Sequence, residues 1–164
     1  MTNELFCEDG LRLLTGAAFT FVLGNELKRA LRSQNFITLI VLSASSEREG
    51  RQVAADEETV RQVAQLISRE VRDTDLLGYT TQGTLSLALL DADFEHSRRV
   101  VDRLTDRFEN YDFPTTIQIS VGAACYPTHA VLVDALHEAV ESNPLAVWRY
   151  EAPPRKHPSD RNSS

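Results

Sequence analysis

Between Phe36 and Leu42 the chain reads FITLIVL, a run with a single polar side chain and a high share of β-branched residues. A strand with one solvated face would alternate apolar and polar residues. Here both alternate sets are apolar, so both faces must be covered. The run is too short to span a bilayer, and at an exposed sheet edge it would template aggregation. It is expected to be a central strand, with other strands on either side of it.

The neighbours can be read from periodicity. Thr15 is placed to cap a helix over Ala17–Arg32, whose Phe19, Val22, Leu23, Leu27 and Leu31 recur at helical spacing. After the central run, Ser43 to Ala55 is polar and charged and reads as a loop. From Asp56 a second helix shows Val60, Val63, Ala64, Ile67 and Val71 on one side. Two short apolar runs follow, Leu76–Tyr79 and Leu85–Leu90, flanking the polar, glycine-containing segment Thr80–Thr84, which is the pattern of a β-hairpin. Ala92–Asn110 is a third helix, with Val100, Val101, Leu104 and Phe108 as its stripe. Thr116–Ala124 reads as a strand, Ala130–Ser142 as a fourth helix stopped by Asn143 and Pro144, and Ala146–Tyr150 as a last strand. The fold class is therefore α+β: a ferredoxin-like βαββαβ core with an added N-terminal helix, its antiparallel sheet covered by helices on one face with the other face available.

With 164 residues, 42% of them hydrophobic, the chain can build one ordinary core, so residues 1–151 are read as one domain. Residues 152–164, rich in Pro, Ser and charge, read as a disordered tail. A net charge of -7 argues against a general nucleic-acid binder, whose affinity rests on clustered cations. Cys7 and Cys125 are too few for a metal or disulfide framework, and neither they nor the four histidines point to a metal or cofactor. Met1–Gly10 carries Asn3, Glu4, Glu8 and Asp9 where a secretory signal needs an apolar core, and no run is long enough for membrane insertion. The expectation is a cytoplasmic protein.

Four stretches, taken together and in order, resemble the GGDEF (diguanylate cyclase) family over roughly Leu14 to Trp148. They are the LTG of Leu14–Gly16 followed by a helix containing NELKRALR, the RxxD of Arg72–Asp75, the hairpin, and the ISVGAACYP of Ile119–Pro127. In that family the hairpin tip reads Gly-Gly-Asp/Glu-Glu-Phe. An ungapped alignment puts Thr81, Gln82, Gly83, Thr84 and Leu85 at those five positions. The family's first strand ends like LIDID, with metal-binding aspartates, and here it ends Leu42-Ser43-Ala44-Ser45. Its following loop carries FKxIND and GHxxGD; here that loop is about three residues shorter, and only Glu57 stands near the base-reading acid. The family's last helix, ADxALYxAK, supplies a lysine, whereas this chain has AVESNPLAV. The resemblance therefore implies a degenerate domain that is not an enzyme, because serine and glycine cannot hold the divalent ions that two-metal chemistry needs.

The resemblance also implies a ligand site. The family's product-inhibition site uses the RxxD, here Arg72 and Asp75, and a further arginine from the next helix, which counting places at Arg103; Arg99 and Arg107 continue that row. A guanidinium can donate two parallel bonds to the O6 and N7 edge of guanine, and a carboxylate can accept from N1–H and N2–H2. Cyclic di-GMP, bound at Arg72, Asp75, Arg103 and Arg99, is the implied ligand, and the function a receptor and signalling module with an unknown protein partner. Two plainer readings stand beside it. Arg72 and Asp75 also suit a surface ion pair at a helix C-terminus, and Arg99, Arg103 and Arg107 suit a helix face salt-bridged to Glu95, Asp102 and Asp106. The alternative function is a nucleotide-independent interaction module, including a homodimer.

Overall fold

The computed structural model describes residues 4–6 and 13–152. In chain order its elements are β1 (Glu4–Phe6), β2 (Leu13–Thr15), α1 (Gly16–Ser33), β3 (Ile37–Arg48), β4 (Arg51–Ala54), α2 (Glu57–Glu70), β5 (Leu76–Thr81), β6 (Thr84–Leu90), α3 (Phe94–Glu109), β7 (Ile117–Tyr126), α4 (Val133–Ser142) and β8 (Pro144–Tyr150). They form one sheet in the order β1-β2-β5-β6-β3-β7-β8, with β4 paired to the end of β3. The apolar run falls in β3, which pairs with β6 from Ile37 to Ser43 and with β7 from Ile37 to Ser46. It is a central strand of the expected βαββαβ core.

The pleat of β3 divides the core in two. Ile37 and Leu39 join Phe19, Leu23 and Leu27 of α1 and Leu136 and Val140 of α4. Ile40 and Leu42 join Val60, Val63 and Ile67 of α2 and Val100, Leu104 and Phe108 of α3. Helices therefore cover both faces, and the expectation of one available face is corrected. The reason lies in β3 itself, whose two apolar sets each need a layer. Thr38, the polar residue of the run, is fully buried and donates its hydroxyl to the Ala92 carbonyl at 3.0 Å, so its burial leaves no unpaired donor.

Thr15 caps α1 as expected, accepting from the Ala18 amide at 3.2 Å. Leu31 does not join the core: it is 69% exposed on the far side of α1, where the stripe has drifted around the helix. The loop expected after Leu42 is instead a hairpin arm. β3 runs on to Arg48 and turns through Glu49 and Gly50, both at positive φ, into β4. Backbone pairing sustains a strand there with only Ala44, Val53 and Ala54 as apolar side chains to announce it. Leu13–Thr15, ahead of α1, is the strand β2, which pairs in parallel with β5. At the other end, Pro144 stops α4 and opens β8, and Trp148 packs with Phe108, Phe113 and Tyr150. Cys125 is buried, while Cys7 and the tail from residue 153 lie outside the described residues. Among the described residues no helix is long and apolar enough to cross a membrane.

Leu39→Asp should leave the chain unfolded by circular dichroism, because it places a charge at a site with no exposure and no partner. The α2 cap offers a milder test. Asp56 accepts from the Thr59 amide at 2.8 Å. The hydrogen bonding of Thr59, with help from Arg48, holds its carboxyl below the ordinary 3.8. Because the folded value is the lower one, the cap's contribution is present above pH 3.8 and is lost as pH falls through the folded value. Asp56→Ala should cost about 1 kcal/mol in urea unfolding at pH 7, and less at acid pH.

Candidate ligand site at the α2–β5 junction

α2 ends at Glu70, and Val71 turns out of it in an extended conformation. Four residues then make a tight turn, in which the Asp75 amide donates to the Arg72 carbonyl at 3.0 Å. The Asp75 carboxylate closes it from inside. Oδ2 accepts from the Arg72 amide at 3.0 Å, and Oδ1 accepts from the Leu90 amide at 3.1 Å. The Arg72 guanidinium lies 3.5 Å from Oδ1 and also donates to the Leu90 carbonyl. The Asp75 side chain is only 3% exposed, against 56% for Arg72. The two residues of the RxxD thus clasp the entry of β5 to the exit of β6.

A cavity of about 240 Å³ opens beside this clasp. Arg72, Asp75 and Arg103 line it together, over an apolar floor of Val71, Leu89, Ala92 and Val100. Arg99 does not line it and stands exposed on α3. Glu70 and His96 do line it, and sequence reasoning missed both. Glu70 also settles the arginine row. Its carboxylate meets the Arg107 Nε at 2.5 Å and the Arg103 Nε at 3.5 Å, so these two arginines of the row are bridged across the helices by Glu70. No spacing within either helix could have shown that pairing.

Chemically the cavity offers two guanidinium groups and two carboxylates beside apolar lining. A carboxylate has about four acceptor sites. Each oxygen of Asp75 accepts one backbone amide, from Arg72 and from Leu90, with the Arg72 guanidinium as an ion pair beside Oδ1.

The hairpin tip is built around its glycine. Thr81 pairs with Thr84 across Gln82 and Gly83, and Gly83 has φ +76°. Its amide donates to the Tyr79 hydroxyl at 3.2 Å, and its carbonyl accepts from the Ala44 amide at 2.7 Å. A Cβ on Gly83 would stand 2.8 Å from the Ala44 oxygen and 3.0 Å from the Ala54 Cβ. Gly83 is therefore dictated by the backbone of β3 and β4. Ser43 lies on β3 opposite Thr84 and Ser120, and Glu57 stands exposed at the start of α2. Among the described residues no three His, Cys, Asp or Glu side chains converge as a metal site.

A scan against protein-family models finds no match, and a search of curated proteins finds none either. Solved structures do match. A diguanylate cyclase protein from Thermotoga maritima superposes with TM-score 0.69 at 16% identity, over 82% of this chain and 98% of that one. The active GGEEF domain of a diguanylate cyclase from Vibrio cholerae gives 0.67 at 12%, over 80% and 88%. The coiled coil and GGDEF domain of DgcB from Caulobacter crescentus, in complex with cyclic di-GMP, gives 0.65 at 14%, over 80% and 74%. The fold is that of the GGDEF domain. The expectation that the chain is not an enzyme is corrected by these matches: the fold it shares is that of diguanylate cyclases, one of them described as active.

Asp75→Ala should destabilise the domain by about 1–3 kcal/mol in urea unfolding, since it removes the acceptor of two backbone amides. Gly83→Ala should also destabilise, because the contact is with backbone and the positive φ strains any side chain.

Proposed function

We propose that this domain is a signalling module that binds cyclic di-GMP at the cavity beside Arg72, Asp75 and Arg103. The observation that carries the proposal is the convergence of those three side chains on one cavity, over an apolar floor suited to a flat base. At about 240 Å³ the cavity is smaller than the ~300–1,000 Å³ typical of drug-sized ligands, so it would take one guanine and leave the rest of the dinucleotide at its rim. Arg72 would turn its fork from Leu90 to the O6 and N7 edge. The remaining acceptor capacity of the Asp75 carboxylate would take the N1–H or N2–H2 edge, and Arg103 would meet phosphate. The fold likeness to a domain solved with cyclic di-GMP supports the choice of ligand.

Calorimetry with cyclic di-GMP tests this. The wild type should release heat saturably, and Arg72→Ala should lose a bidentate contact of roughly 1–3 kcal/mol, about 5- to 150-fold in affinity. Arg72→Lys should not restore binding, because an ammonium cannot make the fork. Absence of heat from folded wild type at millimolar ligand would overturn the proposal.

A further inference from the structure

Glu70 sits where a carboxylate is doubly disfavoured. It is the last residue of α2, at the negative end of the helix dipole, and its side chain is only 10% exposed. What offsets both terms is contact with two cations from α3, Arg107 at 2.5 Å and Arg103 at 3.5 Å. Glu70 also lines the cavity that Arg103 lines. Any phosphate drawn to Arg103 would therefore arrive next to an anion that already engages it. From this arrangement we infer that Glu70 is a built-in competitor for the ligand's phosphate, a carboxylate that occupies the arginines of α3 until an anionic ligand displaces it. The inference rests on the cyclic di-GMP reading above and adds the control of that same site.

The geometry makes the competitor a partial one. Glu70 engages the Nε of each arginine, and both arginine side chains stay more than half exposed, 51% for Arg103 and 64% for Arg107. Both side chains thus keep exposed surface while paired, so Glu70 attenuates affinity without closing the site. Arg72 has its own internal partners in Asp75 and Leu90. Both kinds of cation in the cavity are thus already partnered within the chain, and a ligand meets each against that competition.

The test is calorimetry with cyclic di-GMP on wild type and Glu70→Gln, each at low and high salt. The variant keeps the size and removes the charge. A full charge at about 4 Å in water is equivalent to about five-fold in affinity, so the variant should bind about five-fold more tightly or better. That gain should shrink at high salt, since it is electrostatic. Equal or weaker binding by a folded Glu70→Gln, with wild type still binding, would overturn the competitor and leave the ligand reading standing. Silence from both proteins would overturn the ligand reading and the inference with it. NMR of the arginine Nε–H groups without ligand gives an independent check. The Arg103 and Arg107 signals should shift in Glu70→Gln, and unmoved signals would overturn the competitor whatever the ligand does.

Discussion

Everything in this domain is arranged around a strand that has no face to spare. β3 buries Leu39 and Ile40, neighbours in sequence, at no exposure on opposite sides of the sheet. That requirement calls for α1 and α4 above and α2 and α3 below, and it calls for β6 and β7 along its edges. Each of these layers also buries the apolar stripe of its own helices. The hydrophobic effect is proportional to area and indifferent to direction, so the pleat of one strand decides which helix goes where.

The candidate site is a by-product of that layering. α2 and α3 lie side by side under the sheet, which brings the end of one against the middle of the other and sets Glu70 among the arginines of α3. The chain leaving α2 must climb to the sheet to start β5, and the turn it makes is held by one buried carboxylate that accepts from both ends of the hairpin. Asp75 thus serves the fold first. Its remaining acceptor capacity, and the exposed side chain of Arg72, are what the candidate cavity has to offer a ligand.

Much of this was legible in the chain. The central strand, the order of the βαββαβ elements, the cap at Thr15 and the stop at Pro144 all follow from local rules: alternation, helical spacing, a hydroxyl before a helix, a ring that cannot continue one. What failed had separate causes. The outer half of β3, with β4, is held by backbone pairing and has mostly polar side chains, so periodicity could not see it. The single helix-covered face was a topological guess that the two-sided burial of β3 already contradicted. At the hairpin tip, the glycine at the third position looked like the loss of an acid. The structure adds a steric demand for it, from Ala44 and Ala54.

By itself the sequence determined the central strand, the helices that pack on it, and the presence of Arg72 and Asp75 at the entrance to a hairpin, because each of these depends on residues close together in the chain. Only the tertiary structure decided that Arg103 shares a cavity with them while Arg99 does not, and that Glu70 lies between Arg103 and Arg107. The physical reason is the rotation of α3 against α2. Residues four apart on one helix are neighbours on its surface, but which of them meets a residue 37 positions away, as Arg107 meets Glu70, is set by how the two apolar stripes interlock.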